Sequence, residues 1–259
     1  MFDLLTESTP ALVVTCALLG AVVGSFLNVV IWRLPRGESI VSPGSRCPSC
    51  GAAIRWYDNV PVLGWLLLMG RCRACRAPIS AEYPLVEAAN GALWGLLAWR
   101  FGFGPALPVY LLLVSALLAL AVIDLHHQIL PDRITLPGIV VGLAASATLL
   151  PLGAVPALIG AALGGGLFLT IAVLSRGGMG GGDIKLMAMI GAFLGWQAVL
   201  LTTLLASLVG GVVGLVLMLA FGKGRKHAVP FGPFLTAAAL VCLLWGDGMI
   251  AWYLGLGRP

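Results

Sequence analysis

The chain has 259 residues, of which 60% are hydrophobic and only 10% charged. A soluble domain carries about 25% charged residues, so this composition excludes an ordinary water-soluble globule and requires the bilayer as solvent. The net charge of +5 does not point to nucleic acid, because the basic residues sit in short loops beside apolar runs, the pattern of membrane orientation.

A span takes about 20 mostly apolar residues. In chain order such runs cover 10–32, 85–102, 105–123, 134–152, 154–174, 184–221 and 230–256. The first is preceded by Asp3 and Glu7 rather than a basic stretch, and no small-residue cleavage site follows it. It therefore reads as a retained span, not a signal peptide. The run 184–221 holds two short crossings with an outer turn near Gln197, or a re-entrant half-helix around 184–196 as the alternative. The predicted architecture is an all-α polytopic membrane protein of about eight transmembrane helices, with a small polar insert between the first two. The corresponding divisions are 1–32 for the first span, 33–84 for the insert and 85–259 for the remaining bundle.

Orientation follows from the basic residues. With the insert in the cytoplasm, the loops at 124–133, 175–185 and 222–228 fall on the same side, and only Arg100 and Arg258 lie outside. That satisfies the positive-inside rule. Gly160 with Gly164, and Gly210 with Gly214, have the small-xxx-small spacing that lets membrane helices approach closely.

The insert carries Cys47-Pro-Ser-Cys50 and Cys72-Arg-Ala-Cys75. Two CxxC knuckles at this separation let Cys47, Cys50, Cys72 and Cys75 converge on Zn²⁺. A pair of disulfides is the alternative, and it conflicts with a reducing cytoplasmic location. Four sulfur ligands leave no open position for water, so the zinc is expected to fold the insert rather than to catalyse. Cys16 and Cys242, isolated on apolar runs, read as small buried hydrophobes.

Charges beside spans are functional suspects. Asp124 ends the third apolar run and Asp183 opens the sixth, at the same face of the predicted topology. Two carboxylates there can work as a unit, one as base toward water and one as acid toward the scissile group. The glycine run 177–182 before Asp183 suits close approach of an extended peptide, or is simply a flexible loop. It lacks the Lys-Ser/Thr ending of a phosphate-binding P-loop. Asp132, after Pro131, reads as a first-turn helix residue favoured by the dipole. His126 and His127 read as interfacial side chains.

At these residues the chain resembles the type IV prepilin peptidase family of GxGD-type aspartic proteases. The matching segments run in order: GSFLNVVIWRLP (24–35), the two knuckles, WYDNVPVLGW (56–65), EYPLVE (82–87), AVIDLHHQILPD (121–132), GGGDIKL (180–186) and PFGPF (230–234). The resemblance implies Asp124 and Asp183 as the catalytic pair, with Gly180, Gly182 and Lys185 supporting the substrate loop. It also implies prepilin and pseudopilin substrates, cut after a glycine at the cytoplasmic face of the bacterial inner membrane. N-methylation of the new terminus from S-adenosylmethionine follows in the same way, and the resemblance associates the cysteine-bearing insert, 33–84, with that second activity, although no pattern in the insert locates a donor site. The rival readings are a proton-coupled membrane transporter, which intramembrane carboxylates would also suit, and an assembly scaffold without catalysis.

Overall fold

The computed structural model describes residues 9–175, 178–221 and 230–255. Arg176, Gly177, Lys223, Arg225, Lys226 and Arg258, on which part of the glycine-run and orientation readings rest, lie outside the described residues. Among those described, the regular structure is all helical: α1 (Pro10–Arg33), α2 (Leu63–Leu67), α3 (Glu82–Phe101), α4 (Ala106–His127), α5 (Asp132–Thr148), α6 (Ala154–Leu174), α7 (Gly181–Phe221) and α8 (Gly232–Tyr253). Five helices, α1, α4, α6, α7 and α8, are long and apolar enough to cross a membrane. The remaining long ones fall short for visible reasons. α3 carries Glu82, Glu87 and Arg100, and α5 has only 17 residues.

The chain forms two compact units, residues 1–119 and 120–259. In the first unit, α1 begins on a local cap: Thr9 accepts a hydrogen bond from the Leu12 N–H at 3.2 Å, and Pro10 occupies the first turn. Proline there loses nothing, because that N–H has no helical partner anyway. α1 and α3 pack antiparallel, with Gly20 against Asn90 and Trp94 and Gly24 against Glu87. Polar side chains bind the apolar contact together. Asn90 Nδ2 donates to the Gly20 carbonyl at 2.7 Å, Ser115 Oγ donates to Asn90 Oδ1 at 3.0 Å, and Trp94 Nε1 donates to Ser115 Oγ at 2.9 Å. Such bonds matter where lipid offers no competing partners.

In the second unit, α7 is not one straight rod. Gly195 has φ 80° and ψ 176°, outside the helical region, a conformation that only glycine adopts readily. The contacts on either side show a reversal. Gly160 of α6 abuts Gly191 and Gly195, and Gly164 abuts Met187, so α6 runs antiparallel to 181–194. Beyond the break, Thr202 Oγ1 donates to Cys242 Sγ at 3.3 Å, Leu201 faces Gly246, and Gly210 faces Phe231 and Phe234. α8 begins beside Asp124, so 196–210 returns toward the end of the unit from which 181–194 departed. The region 184–221 is thus one broken helix that reverses at Gly195, two residues from Gln197. Its first arm, 181–194, is about 21 Å long, the length of a re-entrant half-helix rather than of a full span of about 20 residues. Leucine, valine or glutamine at the break would meet the steric penalty of positive φ.

The two small-residue pairs divide. A Cβ on Gly160 would lie 2.4 Å from the Gly191 carbonyl oxygen, and one on Gly164 2.3 Å from the Met187 carbonyl oxygen, whereas nothing lies within 4 Å of a Cβ on Gly214. Gly160→Leu is therefore expected to cost about 1–3 kcal/mol or more through forced separation of α6 from α7. Thermal unfolding in detergent checks this, and Gly214→Leu should leave the midpoint unchanged.

Candidate active site and metal centre

The two knuckles are the same local structure built twice, 25 residues apart. Cys47 N donates to the Ala52 carbonyl at 2.9 Å, and Cys72 N donates to the Ala77 carbonyl at 2.8 Å. Arg46 pairs with Ala53 in an antiparallel bridge, and Arg71 pairs with Pro78. The chain turns back at Gly51 (φ 70°) and at Arg76 (φ 61°). Each turn presents its two cysteines to the other pair, and all four Sγ atoms lie within 4.8 Å of one another. Cys47 Sγ is 3.8 Å from Cys75 Sγ. Sulfurs bound tetrahedrally at about 2.3 Å from zinc sit about 3.8 Å apart, so the donor set fits this ion. All four are free thiols. The backbone N–H groups of Cys50 and Ser49 hold the Cys47 thiol down at about 6, while burial and the neighbouring sulfurs push the Cys75 thiol up to about 11.

The insert is tied together by Arg73, whose Nε and Nη2 grip Asp58 at 2.6–3.1 Å. This guanidinium keeps the Asp58 carboxyl below the usual carboxylate range. Arg73 and Arg55 also approach the Tyr57 ring, at 5.6 and 5.8 Å from its centre.

Asp124, Asp183, Gly180, Gly182 and Lys185 all fall in the second unit. Asp124 lies near the end of α4 and is only 6% exposed. Its Oδ2 accepts the Gly232 N–H at 3.0 Å. Gly232 is the first residue of α8, so the carboxylate faces a helix N-terminus, where unpaired N–H groups and the helix dipole favour negative charge. Asp183 sits in the first turn of α7, with its N–H donating to the Gly180 carbonyl at 3.1 Å. The Gly180 N–H in turn bonds its carboxylate, which lies close enough to Asp124 for the two charges to interact. The structure therefore places two carboxylates separated by 59 positions in the sequence within electrostatic reach of each other.

The surroundings hold this geometry. A Cβ on Gly182 would lie 2.8 Å from Leu130 Cβ, so the glycine segment packs directly under the 128–131 turn. Lys185 Nζ donates to both oxygens of Asp132 at 2.6 and 2.7 Å. Asp132 thus opens α5, as its sequence context suggests, and also ties α5 to α7. His126 and His127 are exposed in the last turn of α4, and Cys16 and Cys242 are buried. Sequence reasoning assigned no role to the Gly232 N–H, the Leu130 cover or the Lys185–Asp132 pair. The PFGPF segment (230–234), which holds Gly232, was the signal for the first of these.

Comparisons with known proteins agree along the chain. The family model for the bacterial peptidase A24 N-terminal domain matches residues 18–101, and that for the type IV leader peptidase family matches residues 111–215. The chain is 42% identical over 280 aligned positions to a prepilin leader peptidase/N-methyltransferase of Stutzerimonas stutzeri, covering 97% of each chain. It is 39% identical over 282 positions to that of Pseudomonas aeruginosa, covering 98% of this chain and 97% of the relative. With the Myxococcus xanthus protein of the same name, identity is 47% over 225 positions, 83% of this chain and 65% of the relative. No solved structure matches. With both family models matched in order and relatives aligned end to end, the chain belongs to the peptidase A24 family of type IV prepilin leader peptidase/N-methyltransferases.

Proposed function

We propose that Asp124 and Asp183 are the aspartate pair with which this family member removes the leader from a type IV prepilin or pseudopilin. The observation that carries the reading is that the two carboxylates stand within electrostatic reach of each other at one end of the second unit, Asp124 on the N-terminus of α8 and Asp183 after the glycine run. One carboxylate takes a proton from water as it attacks the scissile carbonyl, and the other supplies a proton to the carbonyl oxygen or leaving amine. Gly180 and Gly182 support the substrate loop by letting it lie close to the Asp183 carboxylate and to Leu130, and Lys185 holds the segment to Asp132. Zn²⁺ held by Cys47, Cys50, Cys72 and Cys75 has a structural role, because the four thiolates fill its coordination sphere.

The family's second activity adds a methyl group to the amine that cleavage exposes, with S-adenosylmethionine as donor and no residues assigned to the donor site. Sidedness follows the basic loops: the insert and the aspartate pair face the cytoplasm, in the inner membrane of a bacterium. Purified enzyme incubated with a prepilin, with and without S-adenosylmethionine, tests the whole reading by product mass. The expected products are leader-free pilin without the donor and leader-free pilin one methyl heavier with it. An uncut prepilin would sink the reading.

Gly232 gives a narrower test. A Cβ there would stand 2.5 Å from Asp124 Oδ2, so Gly232→Ala must displace the carboxylate. A misplacement of about 1 Å costs about 10²-fold in rate. The expected result is a fall of that order in kcat with little change in KM, measured by steady-state cleavage.

A further inference from the structure

The insert is not polar throughout. Its middle, 60–69, reads VPVLGWLLLM and includes the short helix α2. Leu63, Leu66, Leu67 and Met69 are 57%, 55%, 79% and 77% exposed. The opposite side of α2 is packed within the insert: Gly64 lies against the Asp58 carbonyl, and Trp65 Nε1 donates to the Ile79 carbonyl at 3.0 Å. The large apolar side chains thus point away from everything the insert itself provides. A contiguous apolar patch of this kind marks a partner surface.

Its depth identifies the partner. The Val62 N–H donates to Glu87 Oε2 at 2.7 Å, and the Ser25 hydroxyl hydrogen-bonds the same carboxylate. Glu87 lies about 8 Å inward from the start of α3, and Ser25 about 12 Å inward from the end of α1, at 1.5 Å rise per residue. Val62 therefore lies alongside these helices, inward of their ends, and the segment runs from there outward to Gly70, whose carbonyl accepts the Ile79 N–H just before α3 begins. α1 is itself long and apolar enough to span. Val62 has φ 62°, strained for a β-branched residue, and the buried Glu87 carboxylate holds it there. A backbone N–H at that depth has no water to bond and needs such an acceptor.

The flanks fit a charged surface. Arg55, Arg71, Arg73 and Arg76 are exposed, and 33–81 contains seven arginines against Glu38 and Asp58. Trp56, 83% exposed, and Tyr57 are of the types enriched at membrane–water interfaces. Apolar residues facing the acyl boundary with arginines on the polar side is the arrangement of an interfacial anchor.

We propose that 60–69 is a membrane anchor. α2 lies in the phospholipid leaflet from which α1 and α3 emerge, with Leu63, Leu66, Leu67 and Met69 among the acyl chains and the arginines on anionic headgroups. The anchor holds the four-cysteine module against the bilayer instead of leaving it free in water. This reading is independent of the aspartate pair.

The test uses the full-length enzyme in liposomes of phosphatidylethanolamine and phosphatidylglycerol. Leu67 is replaced by the photoreactive residue p-benzoylphenylalanine, and the adducts are read by mass spectrometry after irradiation. Leu18, a 65% exposed residue of α1, gives the lipid-facing reference, and Ala53, exposed beside the first knuckle, gives the aqueous one. The expected yield of phospholipid adducts at position 67 matches that at 18 and exceeds that at 53 by about tenfold. A yield at 67 no higher than at 53 overturns the proposal. So does a cross-link from 67 to an added prepilin or to a second copy of the chain in place of lipid. Metal content verifies that each labelled protein is folded, and Met69 takes the probe if Leu67 does not tolerate it.

Discussion

Asp124→Asn and Asp183→Asn are each expected to lower leader cleavage by about 10³-fold or more while the protein still folds. Asparagine keeps the size of the side chain, and its amide oxygen can still accept the Gly232 N–H that binds Asp124 Oδ2 at 3.0 Å. What disappears is the carboxylate's capacity to take up and return a proton. Because the two groups act as one device, the double variant should be no slower than either single one. The measurement is the amount of mature pilin released by purified protein, with thermal unfolding run beside it. Cleavage that survives either clean substitution would remove the pair from the mechanism and reopen the scaffold and transporter readings.

Cys47→Ser and Cys72→Ser are expected to separate the two activities. Each removes one of four sulfurs that lie within 4.8 Å of one another, one from each knuckle. Structural zinc contributes about 10–16 kcal/mol to folding small metal modules, so losing a ligand should release the metal and loosen the insert. The aspartate pair lies in the other compact unit. Bound zinc, counted by elemental analysis, should fall well below one per chain. Methylation should fall by about tenfold or more, with cleavage largely retained. Equal loss of both activities would mean that the insert serves the peptidase as well.

Much of this is legible in the sequence. The knuckles are local: each depends on a turn of a few residues, and the repeat of Arg46-Cys47 in Arg71-Cys72 announces itself in the chain. The apolar runs correspond to helices because backbone in hydrocarbon must satisfy its own hydrogen bonds. Asp124 and Asp183 stood out because charge at such positions is costly. The contacts that join distant segments were not legible. Gly232 and Asp124 are 108 positions apart and Lys185 and Asp132 are 53 apart, and no periodicity encodes such meetings. Nor did the apolar content of 60–69 stand out within an insert read as polar, since a ten-residue run is too short to signal a span.

Composition and spacing alone determined that the chain lives in a bilayer, that its structure is helical and that four cysteines can converge on one ion. Those properties follow from the free energy of transfer and from local turn geometry, each a function of neighbouring residues. Only the tertiary structure decided that α7 turns back at Gly195, that the α8 N-terminus meets Asp124, and that Glu87 binds the Val62 N–H beside α3. These outcomes depend on close approach between distant helices, where a single Cβ between Gly160 and Gly191 would be enough to prevent contact.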